Sequence, residues 1–231
     1  MPTIQDEEFG RITIRRSARA THVRVRVAPD GTLRASLPLY APIFLVKRLL
    51  KSSRHELRAM LADAQPTESY VDGMRIGKSH SLLVRSAPGD KVKAERRKQL
   101  IIVSLPAGKS LNDSDVARII RDGIISALRL EAKSYLPKRL SFLASKYGFS
   151  YSKVRFSHAS GRWGSCSSNG TISLNIALMK LPFELIDYVI IHELSHTRYM
   201  NHSTDFWQLV AQADPHYKAH RAALKLENPS I

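Results

Sequence analysis

The chain has 231 residues, 43% of them hydrophobic, which suits one large or two small domains with a sizeable core and excludes a disordered or fibrous chain. A formal charge of +16 draws phosphate-rich or acidic partners, and no run approaches the ~18 apolar residues of a membrane span. Cys166 is the sole cysteine, so no internal disulfide can form, which fits a reducing cytoplasm.

Met1 to Glu8 is acidic and does not read as a basic-then-apolar leader. Arg11 to Ile14 and Thr21 to Val27 alternate as strands, with His22, Arg24 and Arg26 opposite the valines. A turn at Pro29-Asp30-Gly31-Thr32 leads into Leu33, Ala35 and Leu37, and the result is a sheet with a basic face. Pro42 opens a helix to about Ala64. Gly73 to Ser79 is one residue short of a phosphate loop and runs into strand-like Ser81 to Val84, so a tight hairpin turn is expected there. Another strand is expected at Leu100 to Leu105.

Asn112 or Ser114 caps a long helix carrying Val116, Ile119, Ile120, Ile124 and Leu128, which Pro137 can kink before it stops near Gly148. Ser160 to Gly170 is small, polar and punctuated by glycine. Thr171 to Asn175 then alternates like a strand, to which an extended substrate could add through main-chain hydrogen bonds. Arg162 can hold an anion or oxyanion, and Trp163, Ser173 and Asn175 join it as candidate substrate contacts. No internal repeat is expected.

A buried helix follows from Pro182, with Phe183, Ile186, Val189 and Ile190 at helical spacing, and it carries His192-Glu193-Leu194-Ser195-His196. On a helix, residues four apart lie one turn apart on one face, so His192 and His196 can share a tetrahedral ion. Glu193 stands beside them, placed to take a proton from a water held by that ion. Met200-Asn201 ends the helix and Ser203 caps the next, through Phe206, Trp207, Leu209 and Val210. His202 lies in the turn between them and is the expected third ligand, with Asp205, His158 or Glu227 as substitutes. The ion expected is a single Zn2+, another divalent metal remaining open. A last helix is expected over His216 to Ile231.

Arg162-Trp163-Gly164-Ser165-Cys166-Ser167, Ile172-Ser173-Leu174-Asn175, the His192 to His196 motif, and Asn201-His202-Ser203 with Phe206-Trp207 together resemble the YgjP-like metallopeptidase-domain family, related to SprT-type zinc proteases. Arg15-Arg16-Ser17, Val23 to Val27 and Gly77-Lys78-Ser79 resemble its leading segment. The resemblance implies a zincin-like domain with His192, His196 and His202 at the metal positions and Glu193 at the catalytic one.

The expected architecture is α+β: a β-rich, basic region with one helix over 1–110, then a zincin-like hydrolase domain over 111–231. Residues 1–109 hold 21 Lys and Arg against 10 Asp and Glu, while residues 110–231 hold 15 against 10, so a nucleic acid would be drawn to the first half. Three readings compete. The first is a zinc-dependent metallopeptidase. The second is a metal-dependent nucleotide pyrophosphatase in which Arg162, Lys180 or Arg198 neutralises developing charge. The third is a basic nucleic-acid-associated module with a structural metal, which Glu193 argues against because a closed site has no use for a neighbouring base. No membrane association is expected, and the oligomeric state is left open.

Overall fold

The computed structural model describes residues 2–18, 20–28, 32–63 and 70–231, with residues 62 and 63 by their backbone alone. The expected turn at Pro29-Asp30-Gly31 and the helix end at Ala64 lie outside the described residues. The fold is mixed α and β, with three small sheets and six α-helices among the described residues. None of those helices is long and apolar enough to cross a membrane. The chain divides into two compact units, Met1–Ser69 and Tyr70–Ile231. A boundary near residue 110 does not coincide with that division, because the strands between 75 and 105 share one apolar core with the long helix that follows them.

In the first unit, strands β1 (Thr3–Asp6), β2 (Gly10–Arg16), β3 (Arg24–Val27) and β4 (Leu33–Leu37) form a sheet in the order β1-β2-β4-β3. β2 and β4 are parallel and the other pairs antiparallel. Strict alternation buries Ile12, Ile14, Leu33, Ala35 and Leu37 on one face, where Val46, Leu50 and Leu57 complete the core. Those three come from α1 (Phe44–Ser52) and α2 (Arg54–Asp63), into which the single expected helix divides at Ser53.

The second unit opens with β5 (Arg75–Ile76), β6 (His80–Ser86), β7 (Lys93–Arg97) and β8 (Leu100–Leu105), in the order β5-β6-β8-β7. This sheet repeats the first, contrary to the expectation of no repeat. Asp6 opposes Gly10 as Ile76 opposes His80, and Arg16 opposes Leu37 as Ser86 opposes Leu105. Ser17 N–H donates to Leu37 O at 2.9 Å and Ala87 N–H to Leu105 O at 3.0 Å. Buried Ile12, Ala35, Val46 and Leu50 find their counterparts in Leu82, Val103, Val116 and Ile120. Most side-chain identities have diverged while the register and these core positions have not, so the repeat is hidden from a reading of residue types. One difference has a structural effect. Ile124 and Leu128 are buried in the second unit, whereas the equivalent positions in the first are Arg54 and Arg58, both paired with Glu8.

α3 (Ser114–Tyr147) is 34 residues long, keeps Pro137 inside it, and ends at Gly148 in the left-handed conformation (φ 68°). Its N-cap is Asp113, one residue from each expected cap. The β5–β6 hairpin docks on it as expected of a turn. Buried Glu131 accepts from Lys78 N–H at 2.7 Å, from Ser79 N–H at 2.9 Å and Oγ at 2.8 Å, and faces His80 Nδ1 at 2.6 Å. Burial raises this carboxyl, but the donors outweigh it and hold the group below the usual range. Lys78 Nζ donates to Leu181 O and lies 4.4 Å from the Phe183 ring centroid.

The third sheet runs β10 (Gly164–Cys166), β11 (Thr171–Asn175), β9 (Lys153–Ser157), with β11 antiparallel to β10 and parallel to β9. A 3-10 turn (Ile176–Lys180), α4 (Phe183–Ser195), α5 (Thr204–Ala213) and α6 (Tyr217–Leu224) complete the unit. α6 stops before the expected end of the terminal helix. Arg139 of α3 grips Asp187 of α4 in a two-point ion pair, Nε to Oδ1 at 2.7 Å and Nη2 to Oδ2 at 2.5 Å.

Gly77 has φ +59°, and a Cβ there would collide with the Glu131 carboxylate and with Leu128. Gly77→Ala should therefore lower stability by about 2–4 kcal/mol, measured as a shifted urea midpoint with unchanged slope. A shift below ~0.5 kcal/mol would mean that the Glu131 bonds do not anchor the hairpin.

Candidate active site

α4 begins at Pro182 and buries Leu185, Ile186, Val189, Ile190 and Leu194. With that stripe fixed in the core, its last turn presents His192 and Glu193, and His196 sits at the C-cap. The helix thus ends at Ser195, six residues before Asn201, and the chain turns toward His202. Ser203 Oγ accepts from Phe206 N–H, which starts α5 and sets the exit of that turn.

The three expected imidazoles converge. One nitrogen from each of His192, His196 and His202 lies within 4.8 Å of the others, a set that could hold a metal ion. His192 Nε2 and His202 Nε2 are 3.2 Å apart. Two nitrogens each ~2.0–2.1 Å from a tetrahedral zinc stand about 3.3 Å apart, so this pair has the spacing of two ligands to such an ion. His196 Nδ1 donates to Tyr199 O at 3.0 Å, which leaves its Nε2 with the lone pair that a metal needs. Burial, then the neighbouring His196 and His202, lowers the His192 pKa to about 3, so this ring is neutral and able to ligate. His158, 3.3 Å from Arg129, is not in the cluster, nor are Asp205 and Glu227.

Aromatic rings of α5 and α6 brace the imidazoles. Phe206 stacks on His196 with centroids 4.6 Å apart and planes 30° apart, and Trp207 stacks on His202 at 5.6 Å and 24°. Behind Trp207 stand Tyr217, stacked at 5.5 Å, and the Arg221 guanidinium, 4.6 Å from the ring centroid. Asp214, at the end of α5, accepts from His216 N–H at 3.0 Å and pairs with His220 of α6 at 2.7 Å. Residue spacing alone marked Phe206 and Trp207 only as an apolar helix face.

Glu193 is 5% exposed, and its Oε2 has no hydrogen-bond partner. Burial raises its pKa to about 8, against a smaller lowering by Arg162. The carboxyl lies against Gly164 of β10, where a Cβ would stand 2.6 Å from Oε1. Gly164 is therefore required by the glutamate, a pairing across 29 residues that no local pattern reveals. The cleft beside it, ≈190 Å³, is lined by Trp163, Gly164, Tyr188, Val189, Leu224 and the pair His192 and Glu193.

Two expected substrate contacts fall elsewhere. β11 is the middle strand of its sheet, so its main chain is already paired on both sides and Ser173 faces Ser165 and Arg155 across the register. Asn175 is fully buried, its Nδ2 donating to Ala159 O, Arg162 O and Pro229 O at 2.7, 2.9 and 3.2 Å and its Oδ1 accepting from Ala177 N–H. It clamps the site loop and the C-terminal segment together. Trp163 lines the cleft and Arg162 acts electrostatically on Glu193, while the open edge beside α4 belongs to β10, expected only as loop. Arg198 is held away from the cleft lining by Gly148 O at 2.6 Å and by the Phe149 ring at 5.1 Å.

No curated protein matches the chain. The crystal structure of the metallopeptidase zymogen of Pyrococcus abyssi abylysin is similar at 27% identity over 41% of this chain and 98% of its own, with a TM-score of 0.36, too low to bear on the fold. The converging histidines, the buried glutamate and the strand beside it fall within a far longer match, since residues 21–227 fit the YgjP-like metallopeptidase domain, and the chain belongs to that family.

Proposed function

We propose that this protein is a zinc-dependent peptidase of zincin type, in which His192, His196 and His202 hold the ion and Glu193 is the general base. The observation that carries the reading is a buried carboxyl whose Oε2 lacks a hydrogen-bond partner, next in sequence to one of three imidazoles whose nitrogens lie within 4.8 Å of one another. A structural metal site gives no reason to keep such a carboxyl desolvated. When bound, zinc supplies Lewis acidity, lowers the pKa of water to about 7 and draws the Glu193 carboxyl toward its ionised form.

The protein's own groups do the rest. Glu193 takes the proton of the attacking water and passes it to the leaving amine. Tyr199 O fixes the His196 tautomer, and Phe206 and Trp207 hold the imidazole planes. Asn175 N–H donates to Trp163 O and Ser167 N–H to Thr171 O, so by alternation Gly164 and Cys166 direct their main-chain groups to the outer edge of β10. An extended peptide pairs there, next to Glu193. Trp163, Tyr188 and Leu224 receive a side chain, and Arg162 steadies negative charge that develops on the peptide oxygen. Trp163, Tyr188, Val189 and Leu224 make one side of the cleft apolar, which favours a peptide side chain over a nucleotide phosphoanhydride. A single cysteine accords with action in a reducing cytoplasm.

Metal-loaded protein should cut members of a denatured-protein panel, lose that activity to a chelator, and leave a nucleotide panel intact; release of phosphate or pyrophosphate instead would overturn the peptide reading. Glu193→Gln should keep its zinc by elemental analysis yet lose a factor of about 10²–10⁴ in kcat. Full activity in that variant would remove Glu193 from the chemistry.

The raised Glu193 pKa also has a sign. In metal-free protein the folded state keeps a proton that the unfolded chain releases above its ordinary value, so this group's contribution to stability falls as pH rises from about 4.5 to about 8. Metal-free Glu193→Gln should be more stable than metal-free wild type at pH 8 by on the order of 2–4 kcal/mol, with the gap closing toward pH 5. His192 acts in the opposite sense below its ordinary value, in both proteins, and drops out of the comparison. A gap independent of pH in chemical denaturation would show that Glu193 is not desolvated.

A further inference from the structure

We propose that the open face of the first sheet binds nucleic acid through its phosphate backbone. Alternation along β2, β4 and β3 puts Arg11, Arg15, Arg34, Arg24 and Arg26 on the face away from the helices, all exposed. The one carboxylate within these four strands, Asp6, lies on the other side, 3.9 Å from Arg54 of α2. Arg26 and Arg34 are directly opposed in the antiparallel register, so two guanidinium groups stand side by side on this face. Arg24 Nε donates to His22 Nε2 at 2.8 Å, a neutral acceptor that leaves its charge in place.

The second sheet supplies an internal comparison. It has the same strand order and pairing, and it keeps cations, Arg85 and Lys93, at the positions equivalent to Arg15 and Arg24, but the positions equivalent to Arg11, Arg34 and Arg26 are Ser81, Ile102 and Glu95, the last paired with Arg97 at 3.0 Å. The fold thus does not call for arginine at three of the five positions. A concentration of arginines beyond what the matching sheet carries is the kind of local feature retained for binding.

The chemistry selects the partner. Every cation on the face is arginine, whose planar fork matches phosphate oxygens, and Thr13 and Ser36 add hydroxyl donors in the same rows. Among the described residues of these strands, the face carries no apolar side chain to enter a lipid interface and no aromatic ring to stack on bases. Binding is accordingly indifferent to sequence and steeply dependent on salt.

The test uses the full metal-loaded chain and a fluorescein-labelled 20-base-pair DNA of arbitrary sequence, titrated by anisotropy between 50 and 200 mM salt. The triple variant Arg15→Gln, Arg26→Gln, Arg34→Gln should bind at least tenfold more weakly at 100 mM salt, with the logarithmic salt slope reduced by about 2–3. A control with the same charge loss on the second sheet, Arg85→Gln, Lys93→Gln, Arg97→Gln, should change affinity less than threefold. Circular dichroism and peptide cleavage should match wild type in both, and the pair Arg11→Gln, Arg24→Gln, which leaves the opposed Arg26 and Arg34 untouched, should reproduce the effect if the triple variant is unstable. Equal losses in the two triples, no binding by wild type, or preferential capture by anionic phospholipid vesicles would each overturn the proposal.

Discussion

The second unit depends on the burial of one helix end. α4 packs its apolar stripe against the core and is pinned from its polar side by the two-point Arg139–Asp187 pair, so only one rotation about its axis satisfies both. That rotation decides where His192 and Glu193 point. Apolar contact thereby sets the geometry of a polar site, and the imidazoles need only the braces from α5 to reach a common centre. A shift of α4 by one residue would turn it by about 100° and separate every group that the site brings together.

The same burial has a cost. A carboxyl with an oxygen lacking a partner is held in the interior beside a glycine that leaves it just enough room, an arrangement that opposes folding and must be offset by the surrounding core. Nearby polar groups show the contrasting case. Glu131 is equally buried, but donors from the β5–β6 hairpin satisfy it and it serves to join a turn to a helix. Two buried glutamates in one unit thus differ in whether the protein supplies partners, and that difference separates a structural group from a reactive one.

Much of this was legible in the residues. His192, His196 and His202 are close in the chain, so helix geometry and one turn suffice to bring them together, and Ser203 marks where the next helix starts. The hairpin at Gly77 and the alternating strands Arg11 to Ile14 and Leu33 to Leu37 were legible for the same reason, because their patterns are local. What stayed hidden depends on pairing between distant segments. Gly164 matters because of Glu193, and Asn175 is buried because Ala159, Arg162 and Pro229 all turn their carbonyls toward it. Three-residue β10 is too short for alternation to mark it, and the repeat of the two sheets survives in register and burial after the residue types have drifted.

That repeat bears on how the chain acquired its parts. A sheet with one helix is a two-layer unit that can accept a further layer wherever the outer side of its helix is greasy, as Ile124 and Leu128 make α3. Arginines at the matching places, which share Glu8 as an ion-pair partner, give the sibling module a charged surface there instead. Two side chains per copy therefore separate a helix face that packs against a catalytic half from one that is charged.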